Sequence, residues 1–129
     1  MYPFAFDELE IELAAHGDGA FFSRHTDVRR DVLGSVSSRA ISAVYYFHEM
    51  PCRFEGGMLR LYGLGRSGES GHVDISPRHD SLVFFPSSEW HEVLPVHAPG
   101  IGFAQQRFAL NIWIHKTACG ATQAHAGSI

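Results

Sequence analysis

A chain of 129 residues with 45% hydrophobic content is long enough for one domain with a core and short for two. Its formal charge of -4 is mild, Lys116 is its single lysine and its basic residues are scattered, which argues against nucleic acid as a partner. No apolar run approaches the ~20 residues that cross a bilayer, the acidic opening MYPFAFDELEIE lacks a secretory pattern, and Cys52 and Cys119 make neither a disulfide framework nor a thiolate zinc site, so a cytoplasmic protein with free thiols and no membrane partner is expected.

Apolar alternation dominates and helical periodicity never lasts beyond a turn or two, so the chain reads as all-β. Leu9, Ile11 and Leu13 alternate with Glu8, Glu10 and Glu12, predicting a first strand with a wet face, which the GDG of Gly17 to Gly19 connects to a second over 20–25. The polar segment Val28 to Arg39 reads as a loop. Strands are predicted over 40–48, 58–62, 72–76, 81–85, 91–96 and 107–116, separated by Gly- and Pro-rich breaks such as GLGRSGESG. About eight short strands at this spacing suggest a sandwich or barrel. One domain is expected over 1–117, with a flexible C-terminal tail over 118–129.

In RFALNIWIHK, the positions Arg107, Ala109, Asn111, Trp113 and His115 form a mixed polar face, and Phe108, Leu110, Ile112 and Ile114 an unbroken apolar one. AISAVYYFH and SLVFFP are apolar in both parities, as expected when each side of a sheet is covered. The face of Arg107 is assigned to a pocket, because a cavity needs a few polar groups among apolar walls.

The segment FFSRHTDV places His25 and Asp27 on one face of an extended chain, which makes them either a surface pair or two legs of a metal tripod. His91 begins a later strand and Arg107 the last one. Two imidazoles and a carboxylate with open positions suit non-haem Fe(II) in oxygen-activating enzymes. A deeper arginine can grip a carboxylate with its fixed fork of donors.

At this point the chain resembles the 2-oxoglutarate- and Fe(II)-dependent dioxygenases of the prolyl hydroxylase-like branch. The landmarks are GDGAFFSRHTD, SAVYYFHEMPCRFEGGMLRLY, Ile75 to Pro77 leading into SLVFFPS, HEVLPV and RFALNIW, spanning about Leu9 to Lys116. The resemblance implies a double-stranded β-helix, a cupin-like jelly roll, here with little or no helical N-terminal cover. It implies His25, Asp27 and His91 as catalytic metal ligands and Arg107 as the co-substrate arginine, with Tyr46, Leu59 and Trp113 beside it in the pocket. Parity agrees for Tyr46, on the face of Val44 and His48, and for Trp113, on that of Arg107. The implied cofactors are Fe(II) and 2-oxoglutarate, with ascorbate as an accessory. The implied reaction hydroxylates an unactivated C–H of a prolyl or other amino-acid substrate, peptidyl or small, and releases succinate and carbon dioxide. Related halogenating enzymes carry a small residue where Asp27 stands, so hydroxylation is favoured.

Family members usually have helices ahead of the barrel, so the face of Phe108, Leu110, Ile112 and Ile114 is expected to lack that cover and either to serve as a homodimer interface or to mark the chain as a piece of a longer protein. Two other readings stand beside this one: a cupin-type jelly roll using another divalent metal for non-oxidative chemistry, and a non-catalytic ligand-binding jelly roll. His16, His72, His79, His97 and His125 are assigned no task, and Glu92 is read as solvated. Gly56 and Gly57 are read as a close backbone approach into the next strand. Phe21, Trp90 and the arginines of the 29–39 loop are read as flanking the entrance, which would favour an acidic substrate.

Overall fold

A computed structural model of the chain describes residues 6–28, 33–34, 36–63 and 71–117. The tail expected over 118–129, Cys119, His125 and residues 29–32 and 35 of the loop lie outside the described residues. Among the described residues ten strands run in chain order: β1 Phe6–His16, β2 Phe22–His25, β3 Arg39–Phe47, β4 Glu55–Gly56, β5 Leu59–Leu61, β6 Val73–Ile75, β7 Ser81–Pro86, β8 His91–Val93, β9 Val96–His97 and β10 Arg107–Lys116. One four-stranded antiparallel sheet has the order β1-β10-β3-β7, a second β2-β8-β5-β6, and β4 pairs with β9. The fold is the expected all-β jelly roll.

The GDG turn does not close a hairpin, because β1 pairs with β10 and β2 with β8, in different sheets. Gly19, at φ 78°, instead donates to the Val96 carbonyl and Asp18 accepts from the Ala98 N–H, which carries the chain from one sheet toward the other. The strand predicted over 91–96 is split. Its first part pairs with β5; Pro95, which has no N–H to donate, then separates it from the short pairing of β9 with β4. The small core between the two large sheets holds Leu59, Leu61 and Phe85, with Val44, Ile75 and Val83 packed against them.

Register decides which face of the large sheet meets this core. His16 lies opposite Arg107, Ala14 opposite Ala109, Glu12 opposite Asn111 and Glu10 opposite Trp113. The glutamates of β1 therefore stand on the inner side, and the apolar residues face out. This corrects the sequence reading, which made the glutamates the wet face. The outer rows are Leu13, Leu110, Tyr45 and Leu82, then Ile11, Ile112, Ala43 and Phe84. Parity suggested that both faces are covered and the family resemblance that the face of Phe108, Leu110, Ile112 and Ile114 is bare; among the described residues no layer packs on that outer face, and Phe84 is 71% exposed and Ile11 58%. The second sheet covers only the side of Arg107.

Candidate metal centre

Between the sheets lies a cavity of ≈ 330 Å³ lined from both of them, with His25, Asp27, His91, Tyr46, Leu59, Arg107 and Trp113 all on its wall. His25 ends β2, His91 begins β8, and the two are cross-strand partners with ring centroids 4.2 Å apart. Asp27 lies two residues beyond β2, where its N–H donates to the Ser87 carbonyl at 3.0 Å. Asp27 Oδ1 sits 3.4 Å from His25 Nε2 and 3.5 Å from His91 Nε2, and one donor atom from each residue falls within 4.8 Å of the others.

Each donor is aimed by a second partner. His25 Nδ1 meets the Ser23 carbonyl at 2.7 Å and His91 Nδ1 the Glu89 carbonyl at 2.9 Å. A carbonyl only accepts, so both Nδ1 atoms carry a proton and both Nε2 atoms are turned toward Asp27. Ser42 donates to Asp27 Oδ2 at 2.6 Å. Burial alone would raise the Asp27 carboxyl, but its hydrogen bonds from His25, His91 and Ser42 outweigh that and hold it far below the ordinary carboxylate range. For His91, burial pushes down, yet Asp27 and the Glu89 carbonyl win and its pKa is raised. A carboxylate kept ionised between two oriented imidazoles is a donor set for a divalent cation, and its N,N,O composition suits iron.

Deeper in the cavity, Arg107 is 2% exposed. Its Nε donates to the Gly57 carbonyl at 2.9 Å and its Nη1 to His16 Nδ1 at 3.1 Å. Because His16 accepts, it is neutral there, and burial followed by the Arg107 charge lowers its pKa. Gly57 has φ 66°, and a Cβ on it would stand 2.6 Å from Arg107 Cδ, so the arginine needs glycine at this place. Tyr46, fully buried, has its ring centroid 5.0 Å from the Arg107 guanidinium carbon. Its hydroxyl has no hydrogen-bond partner among the described residues. A buried guanidinium beside an orphaned phenol fits a small anion with two oxygens, such as the far carboxylate of 2-oxoglutarate.

At the other end of the cavity a clamp joins three strands. Arg39 binds Glu10 through Nε at 3.1 Å and Nη2 at 2.8 Å, and its guanidinium lies 4.0 Å from the Trp113 ring centroid. His115 adds Nε2 to Glu10 Oε1 at 2.8 Å and takes a bond from the Ser38 hydroxyl at 2.7 Å. Of the arginines read as flanking the entrance, Arg29 and Arg30 lie outside the described residues and Arg39 is spent on Glu10; Phe21 and Trp90 are exposed, and Phe22 lines the cavity. Glu92 is half-buried and accepts from the Tyr62 hydroxyl, so it is not the solvated residue expected. His16, Gly57 and Ser42 were missed as site residues; the register of β1 on β10 and parity on β3 are the signals that reach His16 and Ser42.

The sequence profile of the 2OG-Fe(II) oxygenase superfamily matches residues 11–115. An uncharacterized PKHD-type hydroxylase of Synechocystis is 40% identical over 119 residues, covering 88% of this chain and 38% of that protein. A hypoxia-inducible factor prolyl hydroxylase of Caenorhabditis elegans is 35% identical over 100 residues, covering 75% of this chain and 12% of that protein. The crystal structure of a Pseudomonas putida prolyl-4-hydroxylase superposes with a TM-score of 0.63 at 30% identity, over 87% of this chain and 55% of that one. The chain thus spans between about an eighth and just over half of the length of these relatives.

Proposed function

The chain belongs to the 2OG-Fe(II) oxygenase superfamily, and from that premise we propose that it is a hydroxylase that uses 2-oxoglutarate and Fe(II) on an unactivated C–H bond, with a prolyl or other amino-acid residue as substrate. The observation that carries the reading is the sequence of groups along one cavity: His25, Asp27 and His91 together, then the buried Arg107 beside the partnerless hydroxyl of Tyr46. The prolyl preference rests on relatives whose names describe prolyl hydroxylases.

In this reading His25, Asp27 and His91 hold the iron, and Arg107 with Tyr46 holds the far carboxylate of 2-oxoglutarate. When bound, Fe(II) and 2-oxoglutarate would supply oxidative chemistry with dioxygen, one oxygen atom going to succinate as 2-oxoglutarate loses carbon dioxide and the other to the hydroxyl placed on the substrate carbon. The chain supplies position and access. Ser23 and Glu89 carbonyls keep the imidazole lone pairs turned inward, Gly57 and His16 keep Arg107 aimed along the cavity, and Leu59 and Phe85 make an apolar wall that limits water at the centre. Ascorbate is assigned the accessory task of keeping the metal ferrous. A cytoplasmic location is proposed on the exposed, free Cys52 thiol, which a reducing compartment preserves; no helix among the described residues is long and apolar enough to cross a membrane. Self-association is part of the same proposal: two copies of the apolar outer face can stack as facing sheets with matched rows.

The test is anaerobic addition of Fe(II) and 2-oxoglutarate, followed by oxygen. A visible charge-transfer band and then succinate are expected, and Ala at His25, Asp27 or His91 should abolish both. A protein that gives neither, or single variants that turn over like the wild type, would overturn the reading.

A further inference from the structure

Asp27 has two oxygens, and only Oδ1 faces the imidazoles. The other is held by a pair of hydroxyls that the mechanism above does not use. Ser42 Oγ lies 2.6 Å from Asp27 Oδ2, and Ser87 Oγ lies 2.9 Å from Ser42 Oγ. We propose that Ser42 and Ser87 are positioning residues that make Asp27 a one-oxygen ligand, so that the metal keeps its open positions.

The direction of the chain follows from proton counting. An ionised carboxylate only accepts, so the single Ser42 proton goes to Asp27, and the bond between the serines must then be donated by Ser87. All three groups are shut away from water: Ser87 is 0% exposed, Ser42 2% and Asp27 6%. The main chain reinforces the side chains, because the Ser87 carbonyl accepts from the Asp27 N–H at 3.0 Å and the Ser87 N–H donates to Ala40 O at 3.0 Å. Ser87 thus grips Asp27 twice, by its backbone directly and by its hydroxyl through Ser42, and it ties both to the start of β3.

The consequence lies in the count of coordination positions. A carboxylate free to turn can chelate through both oxygens and consume a position that a two-donor co-substrate and oxygen need. With Oδ2 engaged by Ser42, Asp27 offers one oxygen. Burial also makes the engaged bond costly to give up, and among the described residues Ser42 is the donor seen on Oδ2.

This inference rests on the metal role of His25, Asp27 and His91, and the experiment separates the two. Co(II), added anaerobically without 2-oxoglutarate, is titrated into wild type and the Asp27→Ala, Ser42→Ala, Ser42→Thr and Ser87→Ala variants, reading both affinity and the visible absorption that reports coordination. Ser42→Ala is expected to lose about 10-fold in affinity, the low end for an outer-shell partner of a ligand, with a changed spectrum. Ser42→Thr, which keeps the hydroxyl, should recover most of the affinity and the wild-type spectrum, and Ser87→Ala should fall between. If Ser42→Ala fails to fold, Ser42→Cys, a weaker donor of similar size, should show a partial loss. Wild-type affinity and spectrum in Ser42→Ala or Ser42→Cys, while Asp27→Ala loses the metal, would overturn the relay and leave the metal site standing. Undiminished Co(II) binding by Asp27→Ala would overturn the metal reading, and the relay with it.

Discussion

Gly57 shows how much a single backbone position carries. Its carbonyl seats Arg107 and its lack of a Cβ makes room for the same side chain. Gly57→Ala should therefore act at a distance from the iron, by displacing Arg107 from the carboxylate seat. The expected outcome is normal Fe(II) binding with weakened 2-oxoglutarate. Arg107→Ala should do the same more severely, by ~2–5 kcal/mol for the loss of a buried charged pair, measured by co-substrate titration against the charge-transfer band. That His25, Asp27 and His91 come together in one cavity with Arg107 was legible in the sequence, because these residues sit on or just beyond strands in short, ordered motifs. The partners that aim them were not. His16 meets Arg107 across 91 residues and Ser42 meets Ser87 across 45, and no local pattern records such contacts.

The β1 strand is held to its sheet by more than backbone pairing. Glu10 lies between Arg39 of β3 and His115 of β10, and the hydrogen bonds from Arg39 and then His115 lower its carboxyl from 4.5 to about 2. A carboxyl depressed on folding stabilises the fold above its unfolded value, and that contribution disappears as pH falls through the folded one. The clamp should therefore be intact above pH 4.5 and lost on approach to about 2. Thermal unfolding followed over that range should show an acid-labile component that Glu10→Gln removes; identical pH profiles would count against the clamp. At this scale the sequence was read well where alternation was strong, and β10 was read to the residue. It was read badly where strand partners had to be inferred: the GDG turn looks like a hairpin, yet its glycine bonds to Val96 of β9, outside both large sheets. The sign of the β1 faces also follows from its neighbour. Alternation tells which residues share a side and leaves open which side is inside.

The large sheet gives the molecule two different surfaces. Its inner face holds the cavity, and its outer face presents Leu9, Ile11, Leu13, Leu82 and Phe84, each more than half exposed. A continuous apolar face of this kind favours association. Light scattering at micromolar concentration is expected to report a dimer, and the double variant Ile11→Glu, Phe84→Glu a monomer with its metal site unaltered. A monomeric wild type would remove the self-association proposal. The overall jelly roll was legible from strand number and spacing; two-parity apolar strands look the same whether or not a layer covers them, so parity alone left the bare side open and only the family resemblance pointed to it.

The strand β10 carries Arg107 at one end and His115 at the other, with Trp113 between them on the same side. It works as a ruler laid through the protein: the anion seat and the three-strand clamp are both read from its graduations. Deleting or inserting one residue in its middle would turn everything beyond that point over, exchanging Trp113 for an aliphatic neighbour or Arg107 for Phe108. Length changes across this family should accordingly be found between strands, and the count from Arg107 to His115 should hold constant wherever both ends are kept.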